Sequence, residues 1–294
     1  MSFWGITAFF NPTHSKKRVE NLRQFAAGVR GQGLKLMIVE LTFGGQEARA
    51  EDCDKLVSLT GGALCWQKER LLNIGLDNLP LDCDRVAWLD GDILFQNEFW
   101  AVEAWEALNH YSLLQLFERV VTDGEPSVGM VAHKHMTRGQ RFIGGQALAD
   151  ACFGRSGYAW AARREVLDRC GFYDRCIVGG GDAVLGYAAY NRMWPTLAQA
   201  REIFSPWQFL DIAMWLEQFH KAVQGNVGFI PGTILHLDHG SQAGRAYGSR
   251  TEILKAHKFR PSDVLASESG PWIWGSQKHE MHAAIEQYFE RRAD

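Results

Sequence analysis

The order of the apolar runs in the first ninety residues constrains this chain most. Residues 3 to 10 (FWGITAFF) are apolar and aromatic and stop at Asn11-Pro12, which reads as a buried strand running into a turn. From Ser15 to about Val29 the segment SKKRVENLRQFAAGV places Val19, Leu22, Phe25 and Ala26 on one helical face, with Ser15 as N-cap. Leu34 to Leu41 (LKLMIVEL) gives a second strand, Trp66 to Leu79 (WQKERLLNIGLDNL) a helix that stops at Pro80, and Arg85 to Leu89 (RVAWL) a third strand. Strand, helix, strand, helix, strand predicts an α/β fold with a mostly parallel, Rossmann-like sheet joined by right-handed crossovers.

Between Thr122 and Gly157 the chain is rich in Gly and basic residues with weak periodicity, which predicts a long functional loop of the kind that forms lids. Residues 158 to 193 resume helical patterning around Gly179-Gly180-Gly181. A helix over Trp207 to Val223, a strand over Val227 to Leu237 and an amphipathic helix from about Gln277 to Arg291 complete the reading. There is no internal repeat and no low-complexity linker. The expected organisation is one domain over 1–294, with a first half over about 1–120, a second over about 121–260 and a tail over 261–294.

Composition narrows the function classes. With 294 residues, 46 % hydrophobic and 22 % charged, the chain has ample material for a core. A net charge of -3 and a pI near 6.4 argue against a surface that is wholly a nucleic-acid clamp, where a pI above ~9 is typical. No stretch approaches the ~20 apolar residues of a spanning helix, and the apolar start meets Asn11-Pro12 too early for a signal peptide, so a cytoplasmic location is expected. The six cysteines are scattered without a C-x-x-C pair, which predicts reduced thiols, with a Cys170–Cys176 bridge as the alternative.

The chemistry-bearing residues begin at Asp90-Gly91-Asp92. Directly after RVAWL, both carboxylates emerge at the carboxyl end of a parallel strand, where open α/β sheets bind ligands, and their oxygens suit a hard divalent cation holding a diphosphate. The D-x-D string alone is weak: Asp52-Cys53-Asp54 and Asp82-Cys83-Asp84 repeat it, but only Asp90 and Asp92 close an apolar strand. The structural alternative is an acidic turn capping the next helix, NEFWAVEAWEAL.

Taken with four further segments, this strand and its turn resemble the glycosyltransferases of the GT-A fold, of bacterial or bacteriophage type, which implies a nucleotide-sugar-binding half over about 1–120 and an acceptor half over about 121–260. ITAFFNP, with Phe9 and Asn11, is similar to the strand and Asn-containing turn that open the family's nucleotide pocket. WQKERLLNIG is similar to the segment whose Arg and Asn, here Arg70 and Asn73, lie beside the nucleotide. GYAWAARREVLDRCGFYDRCIVGGGDAVLGYAAY resembles the block carrying the acceptor-side acid, written in inverting members as Gly-Gly followed by two acids; here Gly181 follows Gly180 in place of the first acid, leaving Asp182. TILHLDHGS resembles the late strand whose His completes the metal site, with His236 the better match and His239 the alternative.

The resemblance implies that Asp92 and His236 bind Mn2+ or Mg2+, and that Asp90 touches the ribose or reaches the metal through water. It implies nucleotide-sugar contacts from Gly180 and Gly181, and Asp182 as general base for inverting transfer from a UDP-sugar. The structural alternatives are a hydrogen-bonded His at a strand end and a Gly-Gly-Gly-Asp turn closed by an Asx hydrogen bond. Trp272 and Trp274 alternate and either offer a stacking surface to an acceptor ring or pack the tail onto the core.

Some glycosyltransferases of this kind modify hydroxymethylated bases in phage DNA, so the acceptor classes are a saccharide or hydroxymethylated DNA. Lys134, Arg138, Arg141, Arg155, Arg163, Arg164 and Arg169, interleaved with Phe142, Phe153, Tyr158 and Trp160, form a pattern that can hold a nucleic-acid strand or can be a solvated basic face. Two rival functions remain: a sugar nucleotidyltransferase, disfavoured because Asn11-Pro12-Thr13-His14 stands where a Gly-rich basic loop belongs, and a nucleotide-sugar-binding module without turnover.

Overall fold

The structure, a computed structural model, describes residues 2–44, 52–135, 142–143, 146–147, 154–194, 196–238 and 249–292. Strand β1 (Ser2–Phe10) leads through α1 (Lys16–Gly31) to β2 (Lys35–Thr42), then β3 (Lys55–Thr60), α2 (Lys68–Asn78), β4 (Cys83–Leu89) and β5 (Ile93–Phe95). Next come α3 (Trp100–Ala107), β6 (Leu113–Gln115), β7 (Arg119–Thr122), β8 (Glu125–Val128), α4 (Met130–His135) and the short pair β9 (Phe142–Ile143) and β10 (Gln146–Ala147). Strand β11 (Ala159–Arg163) precedes α5 (Arg164–Cys170), α6 (Gly181–Ala188), α7 (Leu197–Ile203) and α8 (Pro206–Val223). The chain closes with β12 (Val227–Phe229), β13 (Thr233–His236), α9 (Arg250–Ala256), β14 (Val264–Ala266), β15 (Trp272–Trp274) and α10 (His279–Arg291).

Seven strands form the central sheet in the order β12-β6-β11-β4-β1-β2-β3. All run parallel except β11, which pairs antiparallel with both β4 and β6. Strands β1, β2 and β4 read as nearly continuous apolar runs because helices cover both faces. Leu36 and Ile38 face the side of α1 and α3, whereas Met37, Val39 and Leu41 face α2, α5 and α8. Leu71, Leu72 and Leu76 of α2 are buried against that second face, each contributing about 1.5–3 kcal/mol. Gly75 lets α2 approach, since a Cβ there would lie 2.6 Å from Ile6 and 3.0 Å from Val39.

Ser15 caps α1 as its position predicts, its hydroxyl accepting from the Arg18 N–H. Three sequence expectations change. Residues 159–163 form the antiparallel strand β11 rather than a helix: Ala-rich AWAAR has helical propensity, but its slot between β4 and β6 supplies ladder hydrogen bonds on both sides. The run 227–237 divides at Pro231-Gly232, with Gly232 at φ 129°, into β12 in the central sheet and β13 in a second sheet of order β5-β13-β7-β8. The segment expected as one loop from Thr122 contains β8 and α4, and most of its remainder lies outside the described residues.

Cys170 and Cys176 are free thiols, so the bridge does not form. A separate apolar cluster, with Phe259, Val264, Trp272, Met281 and Ile285 around Cys65, Ile177 and Val178, docks the tail against the start of α2 and the Gly179–Gly181 turn. Among the described residues no helix is long and apolar enough to cross a membrane.

Candidate functional site

The Asp90-Gly91-Asp92 turn leaves the carboxyl end of β4 and enters β5. Thr7 donates from Oγ1 to the Leu89 carbonyl at 3.1 Å, and a side chain at Gly91 would meet Leu22 at 3.0 Å and Thr7 at 3.2 Å, so the turn lies tight on the sheet. Strand β5 pairs antiparallel with β13, placing His236 opposite Ile93, and the Leu237 N–H donates to the Asp92 carbonyl at 2.7 Å. That register brings Asp92 Oδ2 to 3.7 Å from His236 Nε2. Two residues 144 positions apart in sequence are thus joined by strand pairing.

Tyr158 wraps Asp90. Its carbonyl accepts the Asp90 N–H at 2.8 Å and its own N–H donates to Asp90 Oδ2 at 3.2 Å. This reciprocal pair holds Tyr158 at φ 79°, a left-handed conformation that costs on the order of 1–3 kcal/mol for a bulky residue and is held only where its surroundings demand it. The Tyr158 ring meets His236 edge-on at 5.2 Å.

Lys68, the first residue of α2, links the two sides of the site. Its Nζ lies 2.5 Å from Asp90 Oδ1 and donates to Asp182 Oδ1 and Oδ2 at 2.9 and 3.0 Å. Burial alone would lower the Lys68 pKa, but the carboxylates of Asp182 and Asp90 outweigh it and hold the ammonium well above its ordinary value. Burial pushes the Asp90 carboxyl up to about 6 against the opposing pull of Lys68. The start of α2 is fixed by Gln67, whose amide bonds the Ala63 and Trp272 carbonyls and the Trp272 N–H. Asp182 sits in the first turn of α6, behind Gly179 and Gly180 at φ 92° and 105°, where the helix N-terminus favours a negative charge.

These groups line one cleft of about 400 Å³ together with Ala8, Phe10, Trp66 and residues 154–157. Arg18, Arg155, Arg250 and Arg292 also line it, so with Lys68 it has five basic side chains against the three carboxylates of Asp90, Asp92 and Asp182. Phe10 and Trp66 meet edge-to-face at 5.3 Å, with the Arg18 guanidinium 5.8 Å from the Phe10 ring and that of Arg292 5.2 Å from the Trp66 ring. A wall of this kind is suited to a planar base and its phosphates.

Of the residues expected at the site, Asp90, Asp92, Gly180, Asp182 and His236 converge here. His239 lies outside the described residues. Phe9 is buried in the core on the α1 side, and Asn11 bonds both the N–H and the carbonyl of Ser15, shaping the entry to α1. Arg70 and Asn73, expected beside the nucleotide, do not line the cleft. Arg70 Nε donates to the Gly270 carbonyl at 2.6 Å and its guanidinium stacks 4.7 Å over Trp272; Asn73 exchanges hydrogen bonds with the Phe172 backbone and donates to Asp174. Both side chains point from α2 to the 172–174 segment and the tail. Trp272 is buried, with Nε1 donating to the Asp174 carbonyl, and Trp274 stacks on His282, so these rings pack the tail rather than face the cleft.

Gly181 turns its open face to Glu69 behind the cleft wall. Arg163 and Arg164 lie at the amino end of β4, bonded to the Leu108, Asn109 and Pro80 carbonyls, and Trp160 is core, so these three do not share a face with Arg155; Arg138, Arg141 and Phe153 lie outside the described residues. Sequence periodicity missed Lys68, Arg18, Arg250 and Arg292, because no local pattern marks them, and Tyr158 entered only as one aromatic of a basic stretch rather than as the residue that holds Asp90.

The donor set fits a divalent cation held jointly with a ligand. Among the described residues no cluster of three or more His, Cys, Asp or Glu forms a cage. Asp92 and His236 instead present one carboxylate and one imidazole to the cleft, leaving further positions to phosphate oxygens and water, as Mg2+ sites with one or two carboxylates do.

No family model matches the chain, and no curated protein matches it in sequence. Solved structures with a similar course include Drosophila β1,4-galactosyltransferase 7 in complex with manganese, UDP-Gal and xylobiose, at 11 % identity over 96 % of this chain and 98 % of that one, with a TM-score of 0.44. Staphylococcus aureus TarS residues 1–349 with UDP-GlcNAc aligns at 10 % identity over 98 % and 72 %, with a TM-score of 0.48. Mycobacterium tuberculosis glucosyl-3-phosphoglycerate synthase with Mn2+, UDP and phosphoglyceric acid aligns at 12 % over 90 % and 82 %, with a TM-score of 0.40.

Proposed function

We propose that this cleft transfers a sugar from a nucleoside-diphosphate sugar, a UDP-sugar in the first instance, to an acceptor hydroxyl. The observation that carries the reading is the Lys68 ammonium tying Asp90, beside the Asp92–His236 pair, to Asp182 across a single cleft. Such a reaction needs charge offset at a departing diphosphate on one side of the anomeric carbon and proton removal on the other. Asp92 and His236 would hold Mn2+ or Mg2+, whose charge offsets that of the diphosphate. Arg18 and Arg292, on the Phe10 and Trp66 wall, supply further positive charge where a nucleotide would lie. Asp90, held by Lys68 and Tyr158, is a fixed acceptor for ribose hydroxyls.

Asp182 acts as general base. As the acceptor oxygen bonds to the anomeric carbon, its proton passes to an Asp182 oxygen, and the bond from the anomeric carbon to the phosphate oxygen breaks with its electron pair leaving on the diphosphate. A base in this role contributes ~10²–10⁴-fold, and in-line attack inverts the anomeric centre. The acceptor is a saccharide or a hydroxymethylated base in DNA; a base in duplex would have to be flipped out to reach Asp182.

The test is UDP release from a panel of UDP-sugars with Mn2+, with and without EDTA, adding simple saccharides and hydroxymethylated DNA in turn. Metal-dependent release that rises with one acceptor is expected, and the anomer of the product reports inversion or retention. Neither release nor binding with any UDP-sugar would overturn the reading.

A further inference from the structure

Behind the cleft wall lies an acid that the transfer reaction does not use. Glu69, the second residue of α2, is 6 % exposed and does not line the cleft. Its Oε1 has no hydrogen-bond partner among the described residues. The carboxyl borders a second, small cavity of about 10 Å³, room for about one water, shared with Asp182 and Gly181 and walled by Trp88, Phe172 and Tyr173.

Glu69 also fills the place of a side chain at Gly181. A Cβ on Gly181 would lie 2.2 Å from Glu69 Oε1, 2.4 Å from Cδ and 2.8 Å from Cγ, and these are its three nearest atoms. Gly179 and Gly180 adopt left-handed φ values, but Gly181 does not, so the backbone makes no demand for glycine there. The space for Glu69 does. Residues 69 and 181 are therefore one steric unit, and it touches the residue directly before Asp182.

Packing alone gives no reason for an acid in this place. A buried carboxyl with an unmet oxygen is costly, and an apolar side chain of similar size would fill the notch at lower cost. Burial first, and the charge of Asp182 second, push the Glu69 carboxyl up to about 8.

We propose that Glu69 is a positioning residue of the transfer reaction: its carboxyl, seated in the notch at Gly181, holds Asp182 and Lys68 in their orientation toward the cleft from behind. The inference rests on the transfer reading above. It is tested by measuring metal-dependent UDP release and thermal melting side by side for the wild type, Glu69→Gln and Glu69→Met.

A positioning role predicts that Glu69→Met lowers kcat about 10–100-fold, the range for groups that orient a reacting residue, leaves KM for the donor within about twofold, and melts at the wild-type temperature or above. Glu69→Gln, which keeps the shape and the capacity to hydrogen-bond, should recover most of the loss. A Glu69→Met variant within about twofold of wild-type kcat, or kcat and Tm falling together in both variants, would overturn it. A wild type without metal-dependent release removes the transfer reading and this inference with it. An active wild type beside an equally active Glu69→Met removes the positioning role alone.

Discussion

Lys68 holds two carboxylates that would otherwise repel each other across the cleft. Removing its charge in Lys68→Met leaves Asp90 and Asp182 facing without a counter-ion. Breaking a fully buried pair costs about 3–5 kcal/mol; both acids are about a quarter exposed, so we expect about 2 kcal/mol near pH 8. The loss should shrink toward pH 5, where one carboxyl takes up a proton, and urea denaturation at the two pH values checks this. An equal loss at both would contradict the bridging role.

Glu69 predicts a pH dependence of its own. Its folded-state value of about 8 lies above the ordinary 4.5, so the native state binds more protons than the unfolded chain across that window. Stability contributed by this group is present below about pH 4.5 and is lost as pH rises toward about 8. Burial is the largest cause of the shift, the charges of Asp182 and Asp90 add to it, and Lys68 opposes it. Glu69→Gln should flatten the slope of unfolding free energy against pH in this range, and an unchanged slope would count against the assignment.

Among the elements, α2 carries both the site and its support. Its first two residues are Lys68 and Glu69, and Arg70 and Asn73, further along the helix, anchor the 172–174 segment and the tail. Asn73→Ala should therefore cost about 2 kcal/mol in stability, from a side chain whose three hydrogen bonds lie between elements, while leaving donor KM unchanged. A raised KM with intact stability would instead return Asn73 to the nucleotide.

The elements also explain what the sequence made legible. Strands β1, β2 and β4, helices α1 and α2, and the placement of Asp90 and Asp92 follow from local signals (apolar runs, an N-cap, a Pro stop and a strand-end position), whereas Asp182 and His236 are reached through the family resemblance of their segments. Strand β11 is hidden, because its Ala-rich stretch is extended only where β4 and β6 flank it. Lys68 is hidden for a related reason: helical periodicity locates α2, but not what meets its first turn. Arg70 and Asn73 belong to the right helix and to its other contacts.

For the whole molecule, the charge of the cleft differs from that of the chain. The chain carries a net charge of -3, whereas the cleft gathers Lys68, Arg18, Arg155, Arg250 and Arg292 from five separate parts of the sequence. The tail contributes by docking on Cys65, Ile177 and Val178, which sets Arg250 and Arg292 at the cleft. Donor binding should therefore weaken with salt. Calorimetry with UDP and Mn2+ should show Kd rising several-fold as the Debye length falls from about 10 Å at 0.1 M to about 3 Å at 1 M. A Kd independent of salt would contradict an electrostatic contribution from these side chains.

The most direct test of the central claim compares wild type with Asp182→Asn at saturating Mn2+ and UDP-sugar, following UDP release and, separately, Mn2+–UDP binding. Release is expected to fall by ~10²–10⁴-fold while binding is retained, as the proposed removal of the acceptor proton by Asp182 requires. An Asp182→Asn protein that releases UDP at the wild-type rate in the presence of acceptor would contradict it.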